Sequence, residues 1–195
     1  MVTPTFDVSK SRRVAAPRSI RADGECLRYR LDVVATSTAD VVQSAGGWLY
    51  DRAMGGWQVT VLLPDRSDTR PLRILGVRAL DLHAQSASMG TGSTSQGLAV
   101  SAEAFTADPR VRDAVLQSLD NRLIEVALWG DAPQGWPLRV SRAMTRAQHV
   151  LSSAARTFKG YALAAAGIPG GTVDATETLL CDACSRVDSE LFLLD

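Results

Sequence analysis

The chain has 195 residues, of which 46% are apolar and 22% are charged, and its formal net charge is zero. These values lie near the averages for globular proteins and exclude a fibrous repeat or a wholly disordered chain. The length suits one domain, which at this size buries roughly 70% of the surface that the unfolded chain exposes.

The ends of the chain and its cysteines indicate a compartment. Residues 1–22 lack the apolar core of a secretory signal, and no run approaches the roughly 20 apolar residues of a membrane helix. Three cysteines, an odd number, favour a reducing environment over a disulfide framework. The sequence therefore predicts a cytoplasmic protein with no membrane contact, and 19 Arg against 2 Lys is typical of a GC-rich bacterial coding sequence.

Residues 1–24 predict a basic N-terminal arm, and residues 25–195 predict a single α/β domain. Alternating apolar and polar residues predict an edge strand over 27–35. A capping-box pattern at 37–40 predicts a helix over 39–54, and β-branched residues predict a strand over 57–63. Such a strand–helix–strand unit is nearly always parallel, so the loops after both strands lie at one edge of the sheet.

The remaining elements extend this pattern. They are a helical turn at 69–75, a strand at 77–82, a flexible Gly/Ser/Thr loop at 83–97, a helix at 109–119 and strands at 122–129 and 138–140. We expect a three-layer α/β fold with a mostly parallel central sheet of about five strands, followed by two C-terminal helices.

Charge is unevenly divided near the C-terminus. Residues 132–173 carry five basic and no acidic side chains, whereas 174–195 carry six acidic side chains and one arginine. Apolar spacing predicts one helix over 143–166 and a second, acidic helix over 174–188. The opposite face of the first would present Arg142, Arg146, His149, Arg156 and Lys159. Solvent, the acidic segment itself or an external anion could each face this candidate anion- or partner-binding surface.

A second group of polar residues falls at the predicted carboxyl ends of strands, where open α/β folds bind ligands. Its members are Ser37, Asp65, Asp68, His83 and Asp131. No Gly-x-Ser-x-Gly elbow or other motif assigns them roles, so the catalytic residues stay unknown. Trp136, in a loop between Gly135 and Pro137, is the tryptophan expected to be exposed at a ligand or partner contact.

Two motifs favour structural over chemical interpretations. The glycines of the 83–97 loop lack the Lys of a P-loop and precede a strand, which favours a surface linker over a phosphate site. Cys181 and Cys184 have the spacing of half a zinc site or of a redox pair, but further paired ligands are missing, which favours core cysteines. We expect no metal and no cofactor.

Three functions remain open. The first is a non-catalytic interaction or regulatory protein, whose basic helix meets the acidic tail, a protein partner or a second copy of the chain. The second is an enzyme or sensor for a phosphorylated small molecule or nucleotide. The third, weak nucleic-acid binding through the arm and the basic helix, is disfavoured because that helix face lacks interleaved aromatic residues.

Overall fold

The computed structural model describes residues 29–64, 68–82, 95–121, 123–132, 135–169, 172–182 and 191–193, with no account of side chains in the last range. The predicted arm at 1–24, Asp65, His83, Cys184 and most of the 83–97 loop lie outside these ranges.

The described chain folds into eight strands and six helices. The strands are β1 (Arg30–Val34), β2 (Gln58–Leu63), β3 (Arg78–Asp81), β4 (Gly97–Ser101), β5 (Glu125–Trp129), β6 (Met144–Val150), β7 (Thr176–Asp182) and β8 (Leu191–Leu193). The helices are α1 (Thr38–Met54), α2 (Arg70–Ile74), α3 (Ala102–Ala107), α4 (Pro109–Asp120), α5 (Leu138–Ala143) and α6 (Ser153–Ala165).

All eight strands belong to one mixed sheet in the order β3-β2-β1-β4-β5-β7-β6-β8. The first five in this order pair in parallel, and the last three add antiparallel pairs. The predicted α/β class is confirmed, but the sheet is larger than the expected five strands. The prediction that the first strand is an edge strand is also wrong, because β1 lies between β2 and β4. Its polar residue Asp32 accepts a 2.5 Å hydrogen bond from Ser95 Oγ.

Helices cover both faces of the sheet. On one face α1, α2 and α6 contribute to an apolar cluster that includes Trp48, Leu72 and Ala162. On the other face α3, α4 and α5 pack over a second cluster that includes Phe105 and Val115. In the described part of the chain no helix is long and apolar enough to cross a membrane.

The C-terminal third differs from the prediction. Residues 144–150 form β6, which pairs with β7 from Met144↔Asp182 to Val150↔Thr176, so the predicted helices over 143–166 and 174–188 are both wrong in this region. Of the first, 153–165 form α6, which begins where Ser152 Oγ accepts a hydrogen bond from the Ala155 N–H, and residue 143 is the last of α5. The predicted strand at 138–140 is part of α5. Pairing with a distant strand overrides the local apolar spacing here.

Candidate active site

The loop after β1 brings the first polar groups of the site to the carboxyl edge of the parallel strands. Ser37 is the N-cap of α1, and its Oγ accepts a 3.2 Å hydrogen bond from the Asp40 N–H. This cap sets the start of the helix immediately after the strand. Asp40 therefore lies in the first turn of α1, beside the ends of β4 and β5.

Asp40 is half-buried and has its carboxyl group fixed on both oxygens. Oδ2 accepts a 3.1 Å hydrogen bond from Trp129 Nε1, and Oδ1 accepts one of 3.1 Å from Ser44 Oγ. Burial raises the pKa of Asp40 above its ordinary value, and the nearby Glu103 carboxylate adds to the rise, while the bonds from Trp129 and Ser44 oppose it.

Glu103 supplies a second carboxyl group in a different environment. It lies in the first turn of α3, directly after β4, and its side chain is exposed. Its Oε2 accepts a 2.5 Å hydrogen bond from Thr36 Oγ1 in the loop after β1. The edge thus holds one half-buried and one exposed carboxyl group, an arrangement that separates an acid from a base in many enzymes.

A cleft of about 420 Å³ opens at the carboxyl end of β5, and neither Asp40 nor Glu103 is among its lining residues. It forms because β5 and β7 pair only at Ala127↔Cys181 and Leu128↔Leu180, so the strands diverge beyond Leu128. Gly130 turns the chain there with φ +81°, a conformation that other residues rarely adopt. Trp129 belongs to both features, because it lines the cleft and donates its indole N–H to Asp40.

The cleft has an apolar floor and a polar rim. Leu128, Leu180 and Met144 contribute apolar surface, and the remaining lining includes Asp131, Trp136, Ser141, Arg146 and Thr178. The Trp136 ring is half-buried and meets the Phe105 ring edge-on at 5.2 Å between centroids. Trp136, expected to be exposed, is thus an anchored wall of the cleft.

The residues of the predicted anion-binding helix are scattered. Arg142 belongs to α5, Arg146 and His149 lie on opposite faces of β6, and Arg156 and Lys159 belong to α6. The single basic helix face of the prediction does not exist, because a strand replaces the first half of the helix. Of the five, only Arg146 lines the cleft.

Two of these side chains, Lys159 and His149, are buried in pairs away from the cleft. Lys159 Nζ lies 2.5 Å from Glu177 Oε1, so one acid of the predicted tail does meet this basic segment, inside the core and not on a helix surface. His149 Nε2 lies 2.9 Å from Asp51 Oδ2, near the end of α1. Asp51 follows Asp40 by eleven residues, about 16 Å along a helix axis.

The strand-end residues divide in another way. Ser37 follows β1 and Asp131 follows β5, both at the carboxyl edge, whereas Asp65 and His83 lie outside the described residues. Asp68 is exposed and pairs with Arg70, whose guanidinium lowers the pKa of Asp68. The sequence patterns did not identify Asp40 or Glu103 as candidate site residues. The capping box that predicts α1 contains Asp40 and was the available signal for it, but no local pattern distinguishes Glu103.

Comparisons with known proteins give the fold a context. No family model and no curated protein matches the sequence. The structure is similar to teicoplanin deacetylase in its zinc-inhibited form, with a TM-score of 0.54 and 15% identity over 85% of this chain and 99% of that one. It is also similar to the deacetylase of an antimicrobial reagent's pseudoaglycone, with a TM-score of 0.53 and 18% identity over 79% of this chain and 97% of that one.

These similarities correct three predictions. Both solved structures named above are deacetylases, and this finding contradicts the interpretation as a non-catalytic interaction or regulatory protein. Another similar structure is a deacetylase–teicoplanin complex, with a TM-score of 0.52 and 15% identity over 85% of this chain and 99% of that one. The comparison therefore supports neither a phosphorylated ligand or nucleotide, nor a protein or nucleic-acid partner.

One of these similar structures is a zinc-inhibited form, which prompts a check of the described residues for a zinc site. A zinc site usually needs at least three protein ligands. Among the residues that the structure describes, no three His, Cys, Asp or Glu side chains are grouped closely enough to hold a metal ion. The described donors at the edge therefore do not fit a zinc site.

Proposed function

We propose that this protein is a hydrolase that removes an acyl group from an amide on a glycosylated substrate. The observation that carries the proposal is the pair formed by Asp40 and Glu103, two carboxyl groups in contrasting environments at the carboxyl edge of a parallel sheet. The fold shared with deacetylases supports this reaction class, and the cleft at the end of β5, which Trp129 links to Asp40, offers space for part of a substrate.

Glu103 is the general base in this proposal. It is exposed, so water reaches it, and its carboxylate takes a proton from the water that attacks the acyl carbon. Thr36 orients the Glu103 carboxylate through its hydroxyl group and leaves the second oxygen of Glu103 for the water.

Asp40 is the general acid. Its raised pKa keeps its carboxyl group protonated to a higher pH than that of an ordinary aspartate. When the carbon–nitrogen bond breaks, Asp40 gives this proton to the leaving nitrogen. The products are a carboxylic acid and an amine, and one proton transfer from Glu103 to Asp40 through solvent restores both groups.

The test is acetate release from N-acetylated amino sugars, offered both free and attached to a glycopeptide. Asp40→Asn and Glu103→Gln should each lower kcat by about 100-fold or more, the usual contribution of a positioned acid or base. Asp113→Asn is the matched control, because Asp113 is an exposed carboxylate on α4 without a hydrogen bond or ion pair to any described residue. Circular dichroism verifies that each variant folds.

The pH profile separates the two roles. The wild-type rate should fall as pH rises through the raised pKa of Asp40 and this group loses its proton, and the Asp40→Asn variant should lose that limb of the profile. Absence of acetate release from every substrate, or unchanged rates in both carboxyl variants, would refute the proposal.

A further inference from the structure

Arg146 occupies an unusual place in the cleft. It lies in β6 opposite Leu180, which in turn lies opposite Leu128, so these three side chains form one cross-strand row on the same face of the sheet. The Arg146 side chain thus continues a row of apolar side chains that form the floor of the cleft. Within the described ranges, no hydrogen bond or ion pair engages the Arg146 guanidinium, although the other charged residue of the lining, Asp131, shares the same cleft.

We infer that the cleft is a subsite for a sugar that carries a carboxylate, with Arg146 binding that group. This inference rests on the proposed function only in taking the sugar to be part of the substrate. A guanidinium is a planar fork of donors that matches the two oxygens of a carboxylate, which makes Arg146 suited to a bidentate contact.

The other walls suit the rest of a sugar. The aromatic ring of Trp136 offers an apolar surface to the C–H face of a pyranose, and its contact with Phe105 holds the ring in place. Ser141 Oγ donates a 3.1 Å hydrogen bond to the Trp136 carbonyl, which restrains the same loop. Asp131 and Thr178 provide acceptors and a hydroxyl group for the sugar hydroxyls.

The mixed charge of the lining favours a carboxylate over a more highly charged anion. A phosphate monoester carries a charge between about −1.5 and −2 at neutral pH, and the cleft offers it one cation beside the carboxylate of Asp131. A single carboxylate matches the single guanidinium and leaves Asp131 free to accept from neutral hydroxyl groups.

The experiment compares two amino sugars, one of which carries in addition a lactyl ether with a single carboxylate. Calorimetric titrations measure the Kd of N-acetylmuramic acid and of N-acetylglucosamine, all in an Asp40→Asn background so that no turnover disturbs binding. The acidic sugar should bind about tenfold more tightly, corresponding to one charge-assisted contact. Arg146→Met should abolish this preference and leave the Kd of the neutral sugar unchanged.

Arg142→Met is the matched control, because Arg142 is a nearby exposed arginine on α5 that does not line the cleft, and it should keep the preference. Equal affinities for the two sugars, an equal loss of both on Arg146→Met, or tighter binding of glucose 6-phosphate would overturn the inference. Preferential binding of the acidic sugar without any turnover would support the carboxylate subsite and refute the proposed function. Turnover of neutral substrates alone would support the proposed function and refute the carboxylate subsite.

Discussion

The buried pair of Lys159 and Glu177 makes the sharpest stability prediction. Glu177 Oε1 accepts a 2.8 Å hydrogen bond from the Gly47 N–H, and Oε2 accepts one of 2.7 Å from the Trp48 N–H, both in the middle of α1. Lys159 Nζ lies 2.5 Å from Oε1 and donates a 2.7 Å bond to the Gln43 carbonyl. In a regular helix the Gly47 N–H donates to the Gln43 carbonyl, so the ion pair engages both members of one helical hydrogen bond.

Glu177→Gln tests how strongly the pair holds this turn. The side chains of Lys159 and Glu177 are 8% and 3% exposed, so little water can replace a lost partner. A glutamine keeps one acceptor oxygen, and its amide NH2 must face either the ammonium of Lys159 or the N–H of Trp48. Leaving a buried charge without its partner costs about 3–5 kcal/mol, and we expect a loss of this size in the free energy of unfolding.

Urea denaturation of a double-mutant cycle measures this coupling. Lys159→Met alone should also be strongly destabilising, because it leaves the Glu177 carboxylate buried without its cation. In the Lys159→Met background, Glu177→Gln should cost at least about 1 kcal/mol less than it does alone, since there is no longer an ammonium to leave unpaired. Additive losses would show that the two side chains act independently and refute the reasoning.

Further predictions concern α1 and its neighbours. Gly47→Ala should lower the free energy of unfolding by about 1–3 kcal/mol, because its Cβ would lie 2.5 Å from the buried Leu151 Cδ2. The helical control Gly160→Ala should be neutral or stabilising, because its Cβ would lie 3.7 Å from Val173 Cγ2. Similar losses for both variants in urea denaturation would contradict this prediction. Because the pKa of Asp40 is raised, the native state binds more protons than the unfolded state between pH 3.8 and the folded pKa. The free energy of unfolding of the wild type, relative to that of Asp40→Asn, should therefore fall as pH rises through that window. A difference between the two proteins that does not change with pH would count against this prediction. Asp51→Ala should cost about 2 kcal/mol, because the buried His149 Nε2 and the Ser152 hydroxyl lose their shared acceptor, and a thermal melt unchanged from the wild type would exclude this.

The parallel half of the molecule could be predicted closely from local patterns. The helix expected at 39–54 is Thr38–Met54, the strand expected at 57–63 is Gln58–Leu63, and the helix expected at 109–119 is Pro109–Asp120. Each carries its own start signal, such as the Ser37 cap or Asp108 before Pro109. Short-range hydrogen bonds and apolar periodicity suffice to predict these elements, because the residues that start and end them are close to them in the sequence.

The candidate site was only half accessible to such reasoning. The topology rule places Ser37 and Asp131 at the carboxyl edge, and both lie there. Asp40 and Glu103, by contrast, acquire their significance from each other and from Trp129, which follows Asp40 by 89 residues. No window of sequence contains that relation.

By itself, the sequence determined the α/β class, the parallel strand–helix–strand units and the edge at which their polar loops gather, because these follow from periodicity, capping and the handedness of the crossover. Only the tertiary structure decided that 144–150 is a strand and that Lys159 is buried beside Glu177. Both outcomes depend on partners distant in the chain: β7 supplies the hydrogen bonds that hold β6 extended, and Glu177 supplies the charge that makes a buried lysine tolerable. The local spacing of apolar residues carries no information about a partner that comes into contact with the segment only when the chain folds.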